Sequence, residues 1–227
     1  MSRMLTPYDW QEGIGHRAQY VDNKLARGSP VLALSIDEGI LILTYRRNVR
    51  KVFEVYDRLA FAAVGQQSDI EALRVAAIDF AHQEGFNRSE QDVTVQRVVT
   101  ALSGAVKKAF ADFSASPFVA RSLFAEVGPK LENDTYAVLD FDGDYTTRKR
   151  HAFVANTEEV AKALEEKLGA VSGEKLKLEK ARKKLEEIWK STREEGAEDE
   201  GLSLEVVLIE RSDEHENRFR VIEAGGE

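Results

Sequence analysis

The sequence predicts an α+β fold in which two antiparallel sheets pack together with helices outside them. Three observations point there. The short β runs come in pairs joined by tight turns, which makes neighbouring strands antiparallel. The helices come in pairs between blocks of strands, as layers covering sheet faces do. No stretch rich in proline, glycine or serine divides the chain. Residues 6–223 are therefore expected to form one domain, between short flexible tails at 1–5 and 224–227.

Thr6-Pro7-Tyr8-Asp9 opens the first helix. Thr6 can cap it, Pro7 lacks only an N–H that would be unpaired there, and Asp9 faces the positive end of the helix dipole. That helix is expected to reach about residue 26 and stop at Gly28. Strands follow at 31–36 and 40–45 around the turn Asp37-Glu38-Gly39, then at 52–55 and 59–64 around Tyr56-Asp57-Arg58. Ile70, Leu73, Ala77, Phe80 and Ala81 recur at helical spacing in a second helix closed by Gly85. Ser89-Glu90-Gln91-Asp92 reads as the N-terminal cap of a third helix. Its broad apolar face runs from Val95 through Val98, Val99, Leu102, Val106, Ala109 and Phe110 to Phe113.

Strands return at 118–127, 135–139, 145–148 and 152–155, with Asp142-Gly143 as a hairpin turn. Asn156-Thr157-Glu158-Glu159 opens a fourth helix that ends near Gly169. A fifth, at 174–193, is heavily charged, with Leu178, Ala181, Leu185 and Ile188 along one seam. It reads as a solvated face with i,i+4 pairs or as a partner-binding helix. An acidic loop at 194–201 leads to final strands at 204–211 and 218–222, joined by a polar turn.

Composition narrows the function. The 227 residues carry 40 acidic against 32 basic side chains, a formal net charge of −8, which argues against a nucleic-acid backbone as partner. With no cysteine there is no disulfide, thiolate zinc site or thiol nucleophile, and the composition suits a reducing cytoplasm. The start has no apolar stretch of signal-peptide type, and the apolar runs are strand-sized, so no membrane partner is expected.

Chemical motifs are few. Gly13-Ile14-Gly15-His16-Arg17-Ala18 has dinucleotide-loop spacing but follows no buried strand. His16, His82, His151 and His215 lack metal-ligand spacing. Asp140-Phe141-Asp142-Gly143-Asp144 has its glycine too early for a calcium loop, and His151 stands where a bidentate Glu is needed. Neither cofactor nor metal is expected. Gly28-Ser29 before the first strand, together with Lys51, has the makings of an N-terminal nucleophile. That chemistry needs a free α-amino group, which Ser29 would acquire only by cleavage, and periodicity alone ranks Ser29 as a turn residue.

Several segments together resemble a proteasome α subunit, most of all the bacterial (actinobacterial-type) form. They are Ala26-Arg27-Gly28-Ser29 with the strand after it, Lys51-Val52-Phe53-Glu54-Val55-Tyr56-Asp57-Arg58, Phe61-Ala62-Ala63-Val64-Gly65, Asp92-Val93-Thr94, Phe124-Ala125-Glu126-Val127 and Leu204-Glu205-Val206. The resemblance implies a four-layer αββα sandwich of the N-terminal nucleophile hydrolase-like type. It implies a non-catalytic subunit of a heptameric ring, with β subunits and neighbouring α subunits as partners, and unfolded proteins as substrates of the complex. Met1, Ser2, Arg3, Met4 and Leu5 would be the gate of the axial pore. Lys51, with Gly65, Gly28 and Ser29, would line a pocket between neighbouring α subunits that receives the C-terminus of an activator ATPase. The alternative is a self-processing hydrolase with Ser29, or Thr6, as its new N-terminus. The chain departs from archaeal and eukaryotic relatives in that Tyr8-Asp9 is followed by no aspartate-glycine-arginine segment.

Overall fold

The computed structural model describes residues 7–193, 201–212 and 217–222. The expected tails at 1–5 and 224–227, the Thr6 cap, and most of the acidic loop and of the last turn lie outside the described residues. Helix α1 (Pro7–Leu25) is followed by strands β1 (Val31–Ile36), β2 (Gly39–Arg46), β3 (Val52–Tyr56) and β4 (Leu59–Gly65). Helices α2 (Gln67–Asn87) and α3 (Val95–Ala111) lead to β5 (Ala120–Glu126), β6 (Thr135–Leu139), β7 (Tyr145–Arg148) and β8 (His151–Val154). Helices α4 (Glu158–Val171) and α5 (Leu178–Lys190) precede β9 (Ser203–Glu210) and β10 (Phe219–Ile222).

The strands form two antiparallel sheets, in the orders β10-β9-β2-β1-β8 and β3-β4-β5-β6-β7. Alternation along each strand builds three apolar layers. Ala33, Ile40 and Ile42 meet Ala60, Ala62 and Leu123 between the sheets. On the first sheet's outer face, Leu32, Leu34, Leu41 and Leu43 pack with Leu164 and Leu168 of α4 and Ala181 and Leu185 of α5. On the second, Phe61, Ala63 and Phe124 pack with Ala77 of α2 and Val98, Val99 and Leu102 of α3. The order is thus αββα. It explains why β1, β2 and β4 read as unbroken apolar runs: both faces are covered.

Helix α1 belongs to neither outer layer. Val21 and Leu25 are buried in the core between the sheets, so the helix closes one end of it. Two polar contacts tie the layers together. Ser35 and Tyr136 share a buried hydroxyl hydrogen bond of 2.7 Å from sheet to sheet. Arg211, after β9, makes a bidentate pair with Asp134 (2.7 and 2.9 Å), whose side chain is 0% exposed. The same guanidinium donates to the carbonyls of Gly128 (2.6 Å) and Ile36 (3.0 Å).

Some boundaries differ from expectation for local reasons. Ser89 does not cap α3: its hydroxyl donates to Asp92 (2.8 Å) across a short 3-10 turn, Glu90–Asp92. Val93 is then drawn into the core, and Thr94 is the cap, accepting from the Arg97 N–H at 3.4 Å. Helix α5 begins at Leu178 rather than at residue 174, because Leu176 first folds back under the helical layer. Phe113 lies beyond α3, 40% exposed, edge-on to Trp10 at 4.9 Å rather than on the sheet. Gly143, at φ 88°, closes the β6–β7 hairpin through a 3.0 Å bond to the Asp140 carbonyl, while the Asp140 carboxylate is engaged by Arg121 at 3.0 Å.

Candidate functional site

A cavity of about 960 Å³ opens where the end of α1, the start of β1, the β2–β3 loop and the end of β4 meet the helical layer of α4 and α5. Gly28, Ser29, Lys51 and Gly65, which the sequence singles out, all line it. The fold brings them together because β1 of one sheet and β3 of the other start at this rim, where β4 ends.

The walls are fixed by hydrogen bonds, two of them buried. The Pro30 carbonyl accepts from the Thr44 hydroxyl (2.8 Å) and from the Trp189 indole N–H (3.0 Å), fastening the start of β1 to α5. The Trp189 ring lies 4.1 Å from that of Tyr45, and the Tyr45 hydroxyl donates to Glu186 (3.1 Å). Asn156 donates to the Ala26 carbonyl (2.9 Å) and so secures the segment between α1 and β1.

Both glycines are required by the chain's own packing. A side chain at Gly28 would begin 2.3 Å from Val64 Cγ1. At Gly65, where φ is +149°, it would begin 2.0 Å from the Val119 carbonyl oxygen. Gly28 lets the Val64 side chain, and Gly65 the Val119–Ala120 backbone, close at the rim of the cavity.

Lys51 supplies the chemistry. Its ammonium donates to the Ser29 carbonyl at 2.9 Å. Burial pulls its pKa down from 10.5 to about 8, and the negative Glu205 nearby opposes that shift. It is thus mainly charged at neutral pH. Glu205, only 4% exposed, holds the local backbone, accepting from the N–H groups of Lys51 (2.9 Å) and Val52 (3.3 Å). Arg46 and Arg50 flank the same carboxylate at 3.7 and 3.8 Å. Neither Glu205 nor Trp189 stands out in the sequence as a site residue. Glu205 falls in one of the family-like segments, and a further signal is its carboxylate inside the apolar run of β9.

A partly buried ammonium beside apolar walls suits a ligand carboxylate, since a charge-assisted bond strengthens where water is thinned. The same geometry does not suit nucleophilic attack by Ser29. Lys51 addresses the Ser29 carbonyl and not its hydroxyl. The residues before Ser29 form α1, which is built into the central core and fastened by Arg17 to the carbonyls of Ala109 (3.1 Å) and Ala115 (3.0 Å). Thr6 lies outside the described residues.

A family model described as proteasome subunit matches residues 27–207. The chain belongs to the proteasome subunit family. Curated relatives named proteasome subunit alpha include that of Thermomonospora curvata, 31% identical over 88% of this chain and 85% of the relative. That of Thermobifida fusca is 31% identical over 91% and 82%, and that of Streptomyces coelicolor 27% identical over 98% and 88%. The chain is a non-catalytic α-ring subunit of a proteasome core particle, associating with other α subunits and with β subunits. The self-processing hydrolase alternative is set aside on this ground and on the geometry at Ser29. No helix among the described residues of this proteasome subunit is long and apolar enough to cross a membrane.

Proposed function

We propose that this α subunit controls entry to the catalytic β chamber in two ways. The tail of residues 1–5 closes the axial pore of a seven-membered α ring. The cavity around Lys51 receives the C-terminus of an activator ATPase, whose docking opens the pore to unfolded protein substrates in the cytoplasm. The observation that carries this reading is the Lys51 ammonium, partly buried beside apolar walls and held by one carbonyl at 2.9 Å, which leaves donor capacity for an incoming carboxylate. Ser29 sets the ammonium's direction through its carbonyl, and Gly28 and Gly65 shape the rim.

Helix α1 connects the two ends of the mechanism. It begins directly after the tail and ends at the cavity, with Val21 and Leu25 locked in the central core. That core draws side chains from Val21 to Ile209, which supports reading residues 6–223 as one subunit domain. Removing residues 1–5 is expected to raise hydrolysis of a short peptide by the particle assembled with β subunits. An unchanged rate, with seven-membered rings verified by imaging, would take the gate away from these residues.

A further inference from the structure

Among the described residues that line the cavity, Arg27, Arg46, Arg47 and Lys51 face the lining carboxylate of Glu159, in a chain whose net charge is −8. Glu159 does not serve as their counter-ion. It sits in the first turn of α4, where a backbone N–H and the Thr157 hydroxyl hold its carboxyl below the usual range. Arg46 already faces the buried Glu205. Arg27 and Arg47 are exposed, on the α1–β1 segment and the β2–β3 loop, and among the described residues neither has a carboxylate within ion-pair distance.

A ligand offering one terminal carboxylate would answer Lys51 and leave both rim arginines unmatched. We infer that the cavity selects a C-terminal peptide with apolar residues next to its free carboxylate and at least one Asp or Glu a few residues upstream, which Arg27 and Arg47 read. The apolar positions would lie against Val49, Ile70 and Trp189, which line the same walls. A peptide fits better than a phosphate polyanion, because Val49, Ile70 and Trp189 line the cavity together with the cations. This rests on the docking reading above and adds to it the chemistry of the partner's tail.

The test uses the assembled core particle and synthetic octapeptides sharing one apolar C-terminal sequence, with Glu, Gln or Lys upstream, each made as free acid and as C-terminal amide. Fluorescence anisotropy at low salt should show the Glu acid binding about two- to fivefold more tightly than the Gln acid, the scale of one exposed ion pair. The Lys acid should bind more weakly than either. The preference should shrink at 0.5 M salt, where screening reaches a few ångströms. It should vanish in the Arg27→Ala, Arg47→Ala double variant, with the Gln acid as internal reference and native mass spectrometry showing intact rings. Equal affinity of the Glu and Gln acids, or a preference that survives in the double variant, would overturn the inference. Tripolyphosphate displacing the Glu acid at micromolar concentration would overturn it in favour of a phosphate-bearing ligand. If amides bind as tightly as acids, the docking reading itself fails, whatever the upstream residue does.

Discussion

Raising the pH should weaken docking at Lys51 in a range where most proteins are indifferent. With a pKa of about 8, the ammonium is roughly nine-tenths populated at pH 7 and one-tenth at pH 9. The ligand's terminal carboxylate, with a pKa near 3.5, stays ionised throughout. If only the ammonium form binds it, affinity falls about tenfold between pH 7 and pH 9. A bound carboxylate favours the charged form, so binding above pH 8 takes up a proton, which calorimetry in buffers of different ionisation enthalpy detects. The same burial sets a stability slope of definite sign. In the unfolded chain Lys51 keeps its ordinary 10.5, so between about pH 8 and 10.5 the unfolded state binds more protons. Stability then rises with pH across that window, relieving a penalty on the order of 3 kcal/mol that is fully present below pH 8. Lys51→Met should remove both effects. The assay is anisotropy of a free-acid peptide on assembled rings from pH 6.5 to 9.5. An affinity flat across that range would refute the reasoning, because the cation would then take no part in holding the carboxylate.

Two further substitutions probe what holds the site. Glu205→Ala strands two backbone N–H groups and should cost the folded subunit about 2–4 kcal/mol in urea unfolding, with Glu205→Gln costing less. By removing the charge that supports the ammonium, either variant should also move the loss of docking to lower pH; an unmoved profile would separate Glu205 from Lys51. Asp134→Ala leaves the Arg211 guanidinium uncompensated in a largely buried position and should cost about 3–5 kcal/mol. A loss below 1 kcal/mol would mean that water replaces the carboxylate there.

The sandwich was legible because its strands are covered on both faces and its hairpin turns are short. Runs such as Val31–Ile36 could hardly be anything but buried strand. Element starts were less legible, because a capping signature states only that a side chain can accept. Ser89 could cap, but Asp92 took its hydroxyl and the burial of Val93 moved the helix start to Thr94. The site was least legible from periodicity. Lys51 and Ser29 are 22 positions apart and meet only because two sheets end at one rim. Lys51 drew notice beside Ser29 and through family likeness, Gly65 through family likeness, Glu205 only as part of a family-like segment with no site role, and Trp189 not at all. The partners of Glu205 and Trp189, the backbone at 51–52 and the Pro30 carbonyl, come from distant segments that only the folded chain brings close.

The most direct test of docking at this cavity is Lys51→Ala in particles assembled with wild-type β subunits. Stimulation of peptide hydrolysis by the activator ATPase should drop at least about tenfold, the loss expected when a partly buried charge-assisted bond is removed, while native mass spectrometry shows rings unchanged. Full stimulation by the same activator would contradict the assignment and return Lys51 to a purely structural role at the start of β3.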